Sequence, residues 1–272
     1  MTNNYTFASE AVEPINRAFL FGDAVSVTFY VRAGQLIMAE ECYFYLMASM
    51  RKMRMNIPLS YTLEFFQSLF SEKVLAEGVK NAFIHLVVYR NADGRVLQKA
   101  GVSFWAEVEE VEDVLMIQGN NEMDMIKEIS VNTHLLSGIR GHCPVSIYAS
   151  IYARENDLDD VILLNPSKRI ARSVFGNLLF LEGAVIKVPK QSEGAYVSPL
   201  MENFVTFVHR KGLAAIEQVE LNAFESQKAE EILMISDYKG LFTVGKIRNK
   251  TFPLVRFTEM VAQWKASFEN AL

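Results

Sequence analysis

Cysteine and histidine are scarce in this sequence, and their scarcity limits what the chain can bind. Cys42 and Cys143 are the two cysteines among 272 residues, too few for a disulfide framework, so we expect reduced thiols. The four histidines are His85, His134, His142 and His209. Because their spacing matches no metal-ligand motif, we predict no metal site.

Long hydrophobic runs and an excess of positive charge are also missing. No apolar run approaches the roughly 18 residues that a membrane-spanning helix needs. The polar start, Met1–Tyr5, lacks the charged and apolar regions of a signal peptide. Lys and Arg number 27 against 32 Asp and Glu, for a net charge of −5, so we expect no basic face for nucleic acid. We predict a cytoplasmic protein without membrane or nucleic-acid partners.

The composition and the order of segments indicate a globular α/β (α+β) protein. Hydrophobic residues make up 50% of the chain, enough for a sizeable core, and segments typical of strands alternate with segments typical of helices. The polar, turn-rich stretch Gln118–Glu122 favours a boundary that gives domains 1–119 and 120–272. The Asp-Gly pair in Asn91–Gly94 predicts a hairpin turn. The acidic pair Asp159-Asp160 is typical of a solvated turn, not of acid–base chemistry.

The stretch from Ser137 to Phe180 carries the most specific pattern. Residues 138–140 read Gly-Ile-Arg, a helical segment follows to Glu155, and an apolar strand spans 161–164. Residues 170–172, Ile-Ala-Arg, and 177–180, Asn-Leu-Leu-Phe, complete the stretch. This order resembles the centre of the fold type IV pyridoxal-phosphate enzymes, a family of branched-chain and D-amino-acid aminotransferases and 4-amino-4-deoxychorismate lyases.

A second segment, residues 17–23, is similar to the opening of the same family through Arg17, Phe21, Gly22 and Asp23. The resemblance implies two α/β domains with a cleft between them. It also implies pyridoxal phosphate as the cofactor, and a homodimer in which the partner subunit helps to shape each cleft.

The reactive residues of that family differ in this chain. Arg140 stands at the position of the lysine that forms a Schiff base with the cofactor, or Ile139 does if the gap falls one residue earlier. Arginine cannot replace that lysine, because its delocalised guanidinium keeps its proton and offers no free lone pair. Arg172 stands at the position of the glutamate beside the pyridine nitrogen. A cation there would disfavour the protonated ring.

The positions that the resemblance assigns to phosphate binding have changed as well. Tyr45 replaces an arginine, while Ser198 begins a helix whose N–H groups could still bind an anion. Ser236 and Asp237 take hydroxyl-bearing positions of a loop, and an aspartate would repel a phosphate. Asn177 completes this set of cleft positions. We assign no catalytic residue.

These changes favour a family member that has lost pyridoxal phosphate and binds a small carboxylate or phosphate, as a binding or regulatory protein. If Arg140 and Arg172 both face the old cleft, their guanidinium groups suit such an anion. Arg172 could instead pair with a local acid such as Glu182 and serve only the structure.

Two other hypotheses stay open. The first is an active pyridoxal-phosphate enzyme, an aminotransferase or a 4-amino-4-deoxychorismate lyase, that takes its amine from Lys127, Lys187 or Lys239. The second is unrelated chemistry in the same cleft, with Cys143 as the nucleophile and its thiolate favoured by Arg140 and a helix N-terminus.

Overall fold

The computed structural model describes residues 4–12, 16–91 and 100–269, and the chain divides into two units. Unit 1 consists of Met1–Val114 and Ile139–His142, and unit 2 consists of Leu115–Gly138 and Cys143–Leu272. The chain thus first passes between units five residues before the domain boundary predicted at 119–120. The hairpin turn predicted at 91–94 lies, from residue 92 onward, outside the described residues.

Unit 1 is built on a five-stranded sheet. Its strands are β1 (Asn4–Ala8), β2 (Ala24–Arg32), β3 (Gln35–Ile37), β4 (Ala82–Asn91) and β5 (Gly101–Glu110). Its helices are α1 (Arg17–Phe21), α2 (Ala39–Lys52) and α3 (Leu63–Lys73). The sheet order is β1-β5-β4-β2-β3, and every neighbouring pair is antiparallel.

Helix α2 owes its orientation to one apolar face. Cys42, Leu46 and Met50 follow one another at four-residue spacing and are fully buried, which turns this face towards the core. Tyr45 lies among the buried residues of the same helix. Tyr45 therefore lies on the side of α2 that faces the core of unit 1.

Unit 2 is built on a nine-stranded mixed sheet. Its strands are β6 (Ile117–Ile126), β7 (Asp160–Leu164), β8 (Ile170–Ser173), β9 (Asn177–Glu182), β10 (Val185–Pro189), β11 (Ala215–Val219), β12 (Glu231–Ser236), β13 (Gly240–Ile247) and β14 (Lys250–Thr251). Its helices are α4 (Pro144–Glu155), α5 (Pro199–Arg210) and α6 (Arg256–Glu269). The sheet order is β11-β10-β9-β12-β13-β6-β7-β8, with β14 paired to β13.

Strands β13, β6 and β7 run parallel to one another in the interior of this sheet. All five residues of β7 are buried, as expected for a parallel strand that is covered on both faces. Val161 and Leu163 belong to the core cluster that contains helix α4 residues, whereas Ile162 and Leu164 belong to the opposite cluster. The stretch Gln118–Glu122, predicted to be a polar boundary, lies within β6 instead.

Within the part of the chain that the structure describes, no helix is both long and apolar enough to cross a membrane. The same residues contain no group of three or more His, Cys, Asp and Glu side chains placed to hold a metal ion.

Candidate functional site

Two of the candidate positions, Arg140 and Tyr45, meet in unit 1. The backbone N–H of Arg140 donates to the Tyr45 hydroxyl at 2.9 Å, and the Arg140 carbonyl accepts from Ser26 N at 2.9 Å. Tyr45 thus holds the backbone at the position where the resemblance expects a lysine. Tyr45, at the position where the resemblance expects a phosphate-binding arginine, therefore has a structural contact of its own.

Close backbone approach fixes the path of residues 139–142. Gly22 has a φ of +64°, and a Cβ on it would lie 2.3 Å from the Cβ of His142. A Cβ on Gly141 would lie 3.1 Å from the Ala24 carbonyl oxygen. Because a side chain at Gly22 would be both strained and obstructed, this glycine is required by packing.

Arg172, on β8, is a buried cation that forms no ion pair with a carboxylate among the described residues. Its exposed fraction is 4%. Its Nε donates to the Gly194 carbonyl at 3.3 Å, and its Cζ lies 4.0 Å from the centroid of the Tyr196 ring. Among the described residues Nη1 has no hydrogen-bond partner. No ion pair joins Arg172 to Glu182 among the described residues, and Glu182 accepts from Lys187 Nζ at 2.6 Å instead.

Asn177 fixes the aromatic ring beneath this guanidinium. Its side-chain amide donates to the Tyr196 carbonyl and accepts from the Tyr196 N–H, both at 2.9 Å. Asn177 is itself 1% exposed. The amide therefore uses both of its hydrogen-bonding ends on the backbone of Tyr196, and its role is to position the ring that Arg172 covers.

Cys143 lies beside Arg172, at the N-cap position of α4. Burial raises the pKa of its thiol, but Ser146 and the positive charge of Arg172 outweigh burial, and the pKa is lowered overall. Hydrogen bonding by the side chain and backbone of Ser146, together with the charge and hydrogen bonding of Arg172, therefore favours the thiolate.

The N-terminus of α5 is closed by the chain itself. Ser198 Oγ accepts from Met201 N at 3.1 Å, and Asp237 Oδ1 accepts from Leu200 N at 3.0 Å. Pro199, the first residue of the helix, has no N–H. The prediction that this helix end still offers its N–H groups to an anion is therefore wrong, because two side chains already take them.

The turn between β12 and β13 is held by Ser236. Its hydroxyl donates to the Phe175 carbonyl at 2.7 Å and accepts from Lys239 N at 3.0 Å. The Lys239 ammonium lies 3.3 Å from the centroid of the Phe175 ring. Ser236 therefore serves the turn, and Lys239 lies over an aromatic face.

Asp160 is the buried ionisable group that sequence reasoning missed. The prediction of a solvated turn is wrong for it, since its exposed fraction is 0%. Its carboxylate accepts from Val161 N at 2.7 Å and Val174 N at 3.0 Å. Burial nevertheless raises the pKa of this carboxyl to about 6. Asp160 directly precedes the apolar run 161–164, and this position in the sequence was the signal that could have indicated its burial.

The chain is similar to known proteins in both sequence pattern and fold. Residues 28–247 match the model of the family described as amino-transferase class IV. No curated protein matches the chain. Several solved structures match the chain at low sequence identity.

The branched-chain aminotransferase from Thermoproteus uzoniensis, solved with norvaline, has a TM-score of 0.85 and 14% identity over 97% of this chain and 94% of its own. A Legionella pneumophila protein described as a 4-amino-4-deoxychorismate lyase has a TM-score of 0.83 and 15% identity, covering 95% and 96%. The branched-chain amino acid aminotransferase from Thermobaculum terrenum, in its PLP-form, has a TM-score of 0.83 and 14% identity, covering 97% and 93%. These likenesses confirm the two-domain α/β fold expected from the resemblance.

Proposed function

Because this chain belongs to the class IV amino-transferase family, we propose that it keeps the family's fold and binds a small carboxylate or phosphate anion at Arg172 without using pyridoxal phosphate. The observation that carries the proposal is the buried guanidinium of Arg172, which has no carboxylate partner among the described residues. The protein would then be a binding or regulatory protein, not an aminotransferase or lyase.

The side chains at the cofactor positions do not suit pyridoxal phosphate. Arg140 supplies no amine that could condense with an aldehyde. The Asp237 carboxylate takes the N–H of Leu200, and it would repel a phosphate dianion at that helix end. Arg172 is a buried cation where the resemblance implies a carboxylate. These groups support the proposal that the chain has kept the family's fold and lost the residues that would hold the cofactor and react with it.

Two of the three substitute lysines weighed from the sequence, Lys187 and Lys239, are engaged elsewhere, and the third, Lys127, lies away from the candidate cleft positions. Lys187 pairs with Glu182 at 2.6 Å. Lys239 lies over the ring of Phe175. Lys127 lines a cavity that contains none of the candidate cleft positions. Each contact argues against the alternative of an active aminotransferase or 4-amino-4-deoxychorismate lyase, because an amine for that chemistry must be free to reach the cofactor.

A bound anion would offset the free-energy cost of burying the Arg172 guanidinium. A buried charge without a partner costs several kcal/mol, and Arg172 contacts the Gly194 carbonyl, the Tyr196 ring and the Cys143 thiol but pairs with no carboxylate among the described residues. A carboxylate or phosphate oxygen at Nη1 would form a charge-assisted hydrogen bond. The guanidinium and the ring beneath it form a rigid receptor, because Asn177 holds the backbone of Tyr196.

Thermal unfolding in the presence of simple anions tests this proposal. Sodium acetate, malonate and phosphate are compared at constant ionic strength, and at least one should raise the Tm of the wild-type protein. Arg172→Gln should abolish the rise, Arg172→Lys should keep part of it, and Arg210→Gln, at an exposed residue of α5, should leave it unchanged. An undiminished rise in Arg172→Gln, or no rise with any of these anions, would contradict the proposal.

Cys143 supports a second candidate function, thiol chemistry at the same place. Its pKa is lowered even though burial opposes this, and it is partly exposed whereas Cys42 is buried. A thiolate so placed could act as a nucleophile. The two candidates are coupled, because a Cys143 thiolate would compete with a bound anion for the charge of Arg172.

We also propose that the protein is a homodimer, as the family resemblance implies. Light scattering on the purified chain tests this directly. A mass close to twice the 30.8 kDa of one chain is expected, and a monomer mass at micromolar concentration would contradict it.

A further inference from the structure

Unit 2 contains a cavity that is lined by none of the candidate cleft positions. Its volume is about 520 Å³, which lies within the usual range for small-molecule pockets. Its lining includes Met125, Lys127, Leu164, Phe224, Arg248 and Lys250. We call it the basic cavity.

The basic cavity lies at the carboxyl ends of three parallel strands. Met125 is the penultimate residue of β6, Leu164 is the last residue of β7, and Arg248 directly follows β13. These three strands are neighbours and run parallel. The crevice beyond the carboxyl ends of parallel strands is where open α/β sheets bind their ligands.

The charge of the basic cavity is positive and only partly neutralised. Arg248 pairs with Asp124. Lys250 Nζ donates to the backbone carbonyls of Gln227 and Ala229, which leave its charge uncancelled. Lys127 is exposed and makes no hydrogen bond or ion pair within the described part of the chain. The cavity therefore favours an anionic ligand.

Besides these cations, the basic cavity is lined by four apolar residues and by the polar Gln227 and Asn249. Met125 and Leu164 line it and belong to one core cluster. Phe224, from the short 3-10 helix Ala223–Lys228, also lines it and is 75% exposed. An exposed aromatic ring beside lysines offers a face on which an apolar group can pack. A bare phosphate would leave this surface uncovered.

We propose that the basic cavity is a second ligand site, which binds a small amphipathic carboxylate whose aromatic or aliphatic body packs on Phe224. The carboxylate group lies against Lys127 and Lys250. The site shares no residue with the anion site at Arg172, so either proposal can fail without the other.

Calorimetric titration of the full-length protein with 3-phenylpropionate tests this inference, with 3-phenylpropan-1-ol as its uncharged analogue. We expect saturable binding of the acid that weakens as salt is added, and much weaker binding of the alcohol. Lys127→Gln should weaken binding about threefold, and Phe224→Ser about tenfold. Both side chains are exposed, so these variants should fold normally.

Lys211→Gln is the matched control, because Lys211 is exposed and does not line the basic cavity. This variant and Arg172→Gln should bind 3-phenylpropionate like the wild type. Three results would overturn the proposal: no saturable binding at millimolar acid, equal binding of the alcohol, or binding that is lost in Arg172→Gln but kept in Lys127→Gln and Phe224→Ser.

Discussion

Asp237 accepts a hydrogen bond from the backbone N–H of Leu200 over 3.0 Å, and this contact closes the N-terminus of α5. The next N–H, that of Met201, goes to Ser198 Oγ. The helix end that the family resemblance assigns to a phosphate thus carries a carboxylate of the same chain. The charge of Asp237 also complements the positive end of the helix dipole.

Replacement of Asp237 should destabilise the fold through loss of this cap. We expect Asp237→Ala to lower the free energy of unfolding by about 1–2 kcal/mol, measured by urea denaturation. Asp237→Asn keeps an acceptor and loses only the charge, so it should cost less. Wild-type stability in Asp237→Ala would mean that Asp237 does not serve as a cap.

The reactivity of Cys143 should depend on Arg172. In a Cys42→Ser background, the alkylation rate with iodoacetamide is measured against pH. Arg172→Gln should move the rise of the rate to higher pH, because the loss of a cation raises the pKa of the Cys143 thiol. Lys168→Gln serves as the control, because Lys168 is exposed. This variant should leave the pH dependence of the alkylation rate unchanged. Identical pH profiles of the alkylation rate for wild type and Arg172→Gln would contradict an effect of Arg172 on the Cys143 thiol.

Asp160 should make the protein less stable as the pH rises. Burial raises the pKa of its carboxyl from the ordinary 3.8 to about 6 in the folded chain. Between these values the folded state binds more protons than the unfolded state, so the free energy of unfolding falls as the pH rises through this window. Below it, the contribution is fully present.

Comparison with Asp160→Asn isolates this contribution. The stability of wild type relative to the variant should fall on the order of 2–3 kcal/mol between pH 4 and pH 7.5, measured by urea denaturation at both values. A constant difference caused by altered hydrogen bonds does not affect this slope. A pH-independent difference between the two proteins would show that Asp160 titrates normally.

The helices and strands were predictable because the sequence patterns that indicate them lie within single segments of the chain. The helical spacing of Leu46, Met47 and Met50 indicates helix α2, and the apolar run 161–164 indicates a strand. The family resemblance supplied the expectation of two α/β domains. Gln118–Glu122 was misread because its polar side chains mask a strand whose partners, β13 and β7, lie far away in sequence.

The site was less predictable, because side-chain partners depend on tertiary packing. The sequence indicated that Arg172 and Asp237 replace family residues, but not that Asp237 caps α5. It left open whether Arg172 pairs with Glu182, and among the described residues Glu182 pairs with Lys187 instead. The burial of Asp160 and the convergence of Lys127, Phe224 and Lys250 on one cavity come from strand order, which spacing alone does not give.

The central claim is that the chain offers no amine for pyridoxal phosphate, and reductive trapping tests it most directly. The purified protein is incubated with pyridoxal phosphate, reduced with borohydride and mapped by peptide mass spectrometry. We predict no lysine modified beyond the level of exposed surface lysines, and no new visible absorbance band. One stoichiometric adduct on a single lysine, with an absorbance band that disappears on reduction, would contradict the account.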